Sequence, residues 1–331
     1  MQPQTLTAEK LIYYPDSEPG ITRRRQGRGF SYIAVDGTRI DNGTERKRLE
    51  ALAVPPAYVD VWISPKVNGH LQATGRDSRD RKQYRYHPDF RAAREAHKYD
   101  HLAEFGQALP GIRRSLRRQL QGTPGTPDYA IAAIIALLDR LAIRIGSPGY
   151  AAENGTYGAT TLKRRHLRLD GDRLHLRYQA KGGKKVARVI RDKTLNRTLG
   201  RLHDLPGATL INWLDDDDQP HAVTSEQVNA RLADMVGQDG ITAKTFRTWA
   251  GSTAALEAIL SVDRPTIKAA ATAASERLAN TPTVARNSYI HPAVIDLCSA
   301  DLQVMNDLAR AAAPVTGLRK TEQVLLHLLR K

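Results

Sequence analysis

Arg144, Lys181, Arg247, Asn280 and Tyr289 are the residues of this chain whose types, taken together, could move a phosphoryl group without a cofactor. Such a reaction needs a nucleophile, cationic or hydrogen-bonding groups on the nonbridging oxygens, and an acid for the leaving group. The guanidinium of Arg144 follows the apolar run LLDRLAI, so it sits where a buried helix ends, a costly position unless it meets an anion or carboxylate. Lys181 stands at a glycine-rich turn, from which a flexible ammonium could reach into a groove as a proton donor. Arg247 lies in AKTFRTWA, where a helical period puts Lys244 and Thr248 near its face and Phe246 and Trp249 toward packing. Asn280 and Tyr289 share the stretch ANTPTVARNSYIHP. Each residue alone also has an ordinary reading: a salt bridge from Arg144 to Glu153, a solvated turn lysine, a helix-ending asparagine, a buried aromatic with its hydroxyl satisfied.

The elements that must position these residues follow from local patterns. The opening DSEPGITRRRQGRGF is turn-rich, and FSYIAVDGTRI carries two short β-prone runs around Asp36-Gly37, a hairpin signal. TERKRLEAL reads as a helix, and VDVWISP, HLQATGR and RKQYRYH as further strands. From Pro88 the pattern turns helical. RAAREAHKYDHLAEFGQAL and GIRRSLRRQL are separated at Pro110-Gly111, and YAIAAIIALLDRLAIRI is apolar enough to be the central helix of a core. RHLRLDGDRLHLRYQAKGGKKVARVIRD predicts a three-stranded meander turning at Asp170-Gly171 and at Lys181 to Lys184. Helices resume with DKTLNRTLGRLHDL, then TSEQVNARLADMV behind a capping box of Thr224 and Gln227, then AKTFRTWAGSTAALEAIL. PTIKAAATAASERLAN opens with proline in its first turn, and DLQVMNDLARAAA and TEQVLLHLLRK follow, the last capped by Thr321. The acidic run Asp215 to Asp218 reads as a solvated loop. The expected architecture is α+β: a small N-terminal antiparallel-sheet domain over residues 1–90, and a mostly helical domain over 91–331 that contains the meander.

Composition narrows the partner. Across 331 residues, 50 Lys and Arg stand against 35 Asp and Glu, a formal net charge of +15, which favours a polyanion such as nucleic acid. No apolar run approaches the roughly eighteen residues of a membrane span, and MQPQTLTAEK lacks the basic start and apolar stretch of a secretory signal. A cytoplasmic setting is expected. One cysteine, Cys298, excludes an internal disulfide and a cysteine-based zinc cluster; it reads as a small buried residue.

The order Arg, Lys, Arg, Asn or His, Tyr, in the contexts IRIGSPGYAAENGTYGATTLKRRH, YQAKGGK, KTFRTW and NTPTVARNSYIHP, resembles the type IB DNA topoisomerases, specifically the small poxvirus and bacterial form. VWISPKVNGHLQATGRDSRDRKQYRYH extends the resemblance into the N-terminal part, so that it covers nearly the whole chain. The resemblance implies a tyrosine recombinase/topoisomerase IB-like catalytic fold at residues 91–331 and a DNA-clamp domain at 1–90. It makes Tyr289 the nucleophile that takes the 3′ phosphate, Arg144, Arg247 and Asn280 the groups holding the nonbridging oxygens, and Lys181 the acid for the 5′ oxygen. It sets Gln83, Tyr84, Tyr86, Tyr150 and Lys244 against DNA. It further implies relaxation of both signs of supercoil by strand swivelling, with neither ATP, metal nor other cofactor, by a nucleoid-associated bacterial monomer clamping double-stranded DNA.

Two departures from the pattern matter. Asn280 stands where poxvirus enzymes and tyrosine recombinases usually carry histidine, so it can donate a neutral hydrogen bond but cannot titrate. At the hairpin the usual Gly-Lys-Asp is Ala180-Lys181-Gly182, with Lys184 and Lys185 close by. Two alternatives remain open at this level. A tyrosine recombinase shares the chemistry, although its usual His-x-x-Arg box is Lys244 to Arg247 here; a basic DNA-binding protein without catalysis shares the charge.

Overall fold

The computed structural model describes residues 11–41, 43–78 and 80–330, the side chains of 94–97 excepted; the leader reading of MQPQTLTAEK falls outside them. The chain divides into two compact units, Met1–Tyr99 and Asp100–Lys331. Its architecture is an N-terminal antiparallel-sheet unit followed by a mostly helical unit with a three-stranded meander, as the sequence predicts.

In the first unit, β1 (Ile21–Gln26), β2 (Gly29–Ile33), β3 (Arg39–Ile40), β4 (Val59–Ile63), β5 (Leu71–Arg76) and β6 (Lys82–Tyr86) form one sheet in the order β3-β2-β1-β4-β5-β6. The Asp36-Gly37 hairpin joins β2 to β3, with Gly37 at φ 85°. The strand β1 corrects the expectation of a turn-rich opening, for it runs within the sheet, paired to β2 and β4. ITRRRQ shows no apolar alternation: Arg24 and Arg25 are exposed, and Arg23 finds partners other than water. The guanidinium of Arg23 donates to the carbonyls of Val54, Pro55 and Tyr58 and lies 4.2 Å from the Phe30 ring centroid, so a polar strand is satisfied within the sheet. Helix α1 (Thr44–Ala51) buries Leu49 against Ile21, Tyr32, Val61, Ile63 and Ala73.

The second unit is built around α4 (Pro127–Leu141), in which nearly every residue is buried. Thr126 caps its start, with Pro127 in the first turn, an arrangement that supplies an acceptor and loses no needed donor. Two helices from Pro88 onward differ from expectation. α2 (Pro88–Ala96) ends in a 3-10 turn at His97–Tyr99, and α3 (Leu102–Gln119) runs straight through Pro110 and Gly111. Proline removes one helical hydrogen bond, but Phe105, Leu109, Pro110, Ile112 and Leu116 form one continuous buried face, and this burial outweighs the local preference to break. The bare Cα of Gly106 admits the indole of Trp249, which an added Cβ would meet at 2.5 Å.

The meander β7 (Leu167–Asp170), β8 (Arg173–Ala180), β9 (Lys184–Arg191) pairs in register, Leu174 opposite Ile190 and Ala180 opposite Lys184. It is followed by α6 (Lys193–His203), capped by Asp192, and by α7 (Ser225–Val236), which carries the expected Thr224 and Gln227 box. Between them β10 (Asn212–Leu214) and β11 (Pro220–Ala222) form a small hairpin, with the acidic run at its exposed turn. Helix α8 (Ala243–Leu260) is buried along most of its length and packs on α9 (Ile267–Leu278) and α10 (Pro282–Tyr289). Pro265 lies before the α9 cap Thr266, outside the helix rather than in its first turn. Three short helices complete the unit: α5 (Pro148–Asn154), α11 (Pro292–Asp296) and α12 (Leu302–Ala311). The last helix, α13 (Lys320–Leu328), starts after Arg319, so Thr321 is inside it and does not cap it. The cap is decided by Glu322, whose carboxylate accepts the Arg319 backbone N–H at 2.8 Å. Cys298 is half-buried rather than buried.

Candidate active site

Four helix ends and one hairpin turn converge on a cavity of about 300 Å³ lined by Arg144, Ser147, Tyr150, Tyr157, Lys181, Lys244, Arg247 and Tyr289 among others. Among the described residues no carboxylate lines it. Four cations around one opening make a strongly positive concavity, suited to an anion. Asn280 is the one residue of the expected five that the structure does not place on this wall.

Arg144 is delivered by the end of α4. The helix stops at Ala142, which takes the left-handed conformation at φ 51°, a small strain that stops the ladder and turns the chain out. The strand-like segment after it is clamped by Ala159 and Thr160, whose N–H groups donate to the carbonyls of Arg144 and Ile145 at 2.8 Å. Gly158 is required for this approach, because a Cβ there would stand 2.5 Å from the Arg144 carbonyl oxygen. Among the described residues the Arg144 guanidinium has no ion pair, so the alternative bridge to Glu153 is not formed. Lys181 occupies the turn between β8 and β9, where Gly182 and Gly183 take positive φ of 78° and 76°. Its ammonium stands 5.5 Å from the Tyr150 ring centroid.

Arg247 is only 3% exposed. Its guanidinium donates to the carbonyl of Ala142 and, at 3.1 Å, to that of Leu278. Those carbonyls close the C-termini of α4 and α9, the negative ends of two helix dipoles, so a buried charge is held without a carboxylate. Burial and the neighbouring Arg144 charge both push the Arg247 pKa down. Since arginine starts far above neutrality, it stays charged.

Tyr289 closes α10 with its ring 4.9 Å from the Arg247 guanidinium carbon. Burial raises its phenol, but the charges of Arg247, Arg144 and Lys244 outweigh that and leave the pKa below its ordinary value. Its backbone is seated on α8: the bare Gly251 Cα faces the Tyr289 carbonyl, which a Cβ would meet at 2.6 Å. The buried Ser252 hydroxyl donates to that carbonyl at 3.4 Å and accepts the His291 N–H at 2.9 Å. Sequence reasoning missed this seat. A Gly-Ser pair inside a long helix is the signal that could have found it, since glycine there is tolerated chiefly where another backbone comes close.

Asn280 follows Ala279, a second left-handed alanine, at φ 50°. It is 6% exposed, and neither its side-chain oxygen nor its nitrogen has a hydrogen-bond partner among the described residues. An unsatisfied buried amide costs about 1–3 kcal/mol, so the group awaits a partner. Its neighbours Leu278 and Ala279, with Arg144, Tyr178, Arg188 and Arg247, enclose a smaller second cavity.

The expected DNA contacts Tyr150 and Lys244 lie on the main cavity wall. Gln83, Tyr84 and Tyr86 instead line a groove of about 690 Å³ in the N-terminal unit, with Arg48, Arg85 and Arg91. Two apart on β6, Tyr84 and Tyr86 stack with centroids 6.2 Å apart, as strand alternation requires. The Gln83 amide donates to Asp77 at 3.0 Å.

A tyrosine set among four cations in one cavity is suited to attack on a phosphoryl group. Residues 87–304 match the family described as eukaryotic DNA topoisomerase I, catalytic core. Residues 29–77 match the family described as bacterial DNA topoisomerase IB, N-terminal domain. The chain is 25% identical over 293 residues to DNA topoisomerase 1B of Acanthamoeba polyphaga mimivirus, covering 84% of this chain and 87% of that protein. DNA topoisomerase I of monkeypox virus and DNA topoisomerase 1B of vaccinia virus (strain Copenhagen) are each 20% identical over 213 residues, 63% of this chain and 65% of theirs. The chain belongs to the type IB DNA topoisomerase family, and with it to the general chemistry of DNA strand cleavage and religation. No helix of the described residues is long and apolar enough to cross a membrane.

Proposed function

We propose that this chain is a DNA topoisomerase of the small bacterial and poxvirus-like form, with Tyr289 as nucleophile. The hydroxyl oxygen of Tyr289 attacks a backbone phosphorus, its proton passing to water, and the bond to the 5′ oxygen breaks. The products are a 3′-phosphotyrosyl link and a free 5′ hydroxyl. Arg144 and Arg247 grip the nonbridging oxygens as charge accumulates, for which a planar, permanently charged fork is suited. Asn280 adds a neutral donor once its amide turns to the phosphate. Lys181 protonates the departing oxygen and recovers the proton on religation. The phosphodiester energy is kept in the phosphotyrosine, so neither ATP nor metal is required, and the cut strand can swivel about the intact one before resealing.

In this reading residues 1–90 act as a DNA clamp, with Gln83, Tyr84 and Tyr86 toward the duplex, while Tyr150 and Lys244 contact it near the reaction. The protein works as a monomer in the cytoplasm on nucleoid DNA. The observation that carries the proposal is the cavity itself: a tyrosine with a lowered phenol pKa among four cations, with no carboxylate among the described residues that line it.

Relaxation of supercoiled plasmid and a denaturant-quenched cleavage assay test it together. The wild type is expected to relax both signs of supercoil without ATP or divalent metal and to yield a covalent protein–DNA adduct. Tyr289→Phe is expected to yield neither while still binding duplex. An active Tyr289→Phe would refute the assignment, and joining of specific paired sites without relaxation would make the protein a recombinase.

A further inference from the structure

The C-terminus of α9 is a socket for cations from two directions. Helices end with carbonyls that have no intrahelical donor; here the last three of α9, and the carbonyl of Asn280 just beyond it, meet charged side chains. Arg188 donates to the carbonyls of Glu276 and Arg277, Arg247 to that of Leu278, and Lys184 to that of Asn280. Arg188 and Lys184 are four residues apart on β9, hence on one face of the strand, and both reach the same helix end. Lys185 alternates to the opposite face, paired across the ladder with Gln179.

This contact matters because of what lies on either side of it. Three residues before Lys184 is Lys181, on a turn whose Gly182 and Gly183 are exposed and have no neighbour within reach of a Cβ. Apart from the Lys181 ammonium over the Tyr150 ring, the turn itself offers no side chain to hold it over the cavity. The residue whose carbonyl Lys184 grips is Asn280, with its unpartnered buried amide. Charge-assisted hydrogen bonds to a helix end are among the stronger polar contacts available.

We propose that Lys184 is a positioning residue: its ammonium latches the Lys181 turn to the Asn280 backbone, so that the leaving-group acid and the phosphate donor are held in register. Arg188 anchors the strand behind it. The inference rests on the reading of Lys181 as the acid, and the experiment separates the two.

Single-turnover cleavage is measured on duplexes carrying either the ordinary 5′ oxygen or a bridging 5′ sulfur at the scissile phosphate, since a thiolate leaves without protonation. DNA affinity is measured alongside. Lys181→Ala serves as the reference: slow on oxygen and restored on sulfur if it is the acid, and slow on both if that reading fails. Lys184→Ala is expected to cut the oxygen substrate about 10- to 100-fold more slowly, the scale of an ångström-size misplacement, with DNA affinity near wild type. It should be restored on sulfur. Lys184→Arg, which can still donate to the carbonyl, should retain most of the rate, and Lys185→Ala all of it. The latch is overturned if Lys181→Ala is restored by sulfur while Lys184→Ala is either at wild-type rate on oxygen or slow on both substrates. It is also overturned if Lys184→Arg is as slow as Lys184→Ala, because Lys184 would then be donating the proton itself.

Discussion

Arg247 combines two tasks that usually fall to different residues. Its guanidinium closes the ends of α4 and α9, the elements that deliver Arg144 and Asn280, and the same charge depresses the phenol of Tyr289. Removing it therefore acts on geometry and on acidity at once. In Arg247→Met the cation is gone while burial remains, so the Tyr289 pKa is expected to rise above the wild-type value, with Arg144 and Lys244 still holding it down in part. Titration of the tyrosine ring carbon by NMR would show this, and an unchanged pKa would mean that Arg247 does not face the phenol in solution. Two carbonyls lose their donors in that variant, so stability should also fall by about 1–3 kcal/mol, seen as a lower denaturation midpoint. The wild-type cleavage rate, by the same sign, should climb with pH and level off below the pKa of a free phenol. Asn280 adds no titrating limb to that profile.

At the scale of elements, the reaction geometry depends on how closely α8 and α10 approach. Gly251 has no side chain because the Tyr289 carbonyl occupies the space, and Ser252 bridges the backbone on both sides of the nucleophile through the Tyr289 carbonyl and the His291 N–H. Gly251→Ala puts a methyl against backbone, which cannot turn aside as a flexible side chain could. Cleavage is expected to drop about 100-fold, the typical penalty for shifting a reacting group by an ångström, with duplex binding in gel shift retained. Normal cleavage by Gly251→Ala would show that α10 moves freely on α8. Much of this element level was legible beforehand. The Thr224 and Gln227 box, the Asp170-Gly171 turn and the meander are local patterns, and the structure has them. The β1 strand, the passage of α3 through Pro110 and the Arg319 cap of α13 were not legible, because each is decided by a distant partner: the backbone carbonyls of 54–58, the buried face of α3, and Glu322.

At the scale of the whole molecule, the last helix is tied to the core by charge. Glu322 is fully buried, its carboxylate shared by Arg113, Arg319 and the Trp249 indole, and Arg113 also pairs with Asp139. Burial alone would raise the Glu322 pKa, but the hydrogen bonds from Arg113 and Arg319 bring it down to about 2. Its folded value lies below the roughly 4.3 of an unfolded glutamate. The stabilisation is therefore complete above that unfolded pKa and is lost as pH falls from there toward 2. Thermal melts over pH 2–7 should show this loss in the wild type and a flatter dependence in Glu322→Gln. At neutral pH that variant should be about 3–5 kcal/mol less stable, since a buried arginine loses a partner; a change under 1 kcal/mol would show that Asp139 alone suffices. With a net charge of +15, duplex affinity should also fall steeply with salt as counterions are released, and a flat log K against log salt would argue against phosphate contacts as its source.

Sequence alone determined the chemical types available: a tyrosine, two arginines, a lysine and an asparagine in a basic chain, together with the helices, hairpins and caps that arise from neighbouring residues. These depend on interactions over a few positions, which any reader of the sequence can see. Only the tertiary structure decided which lysine of the 181–185 turn reaches Asn280, why Arg247 tolerates burial, and what seats Tyr289. Those answers lie in backbone carbonyls at helix ends. Every residue carries such a carbonyl, so side-chain identity does not mark them, and only the packing of α4, α8 and α9 brings them to the charges that need them.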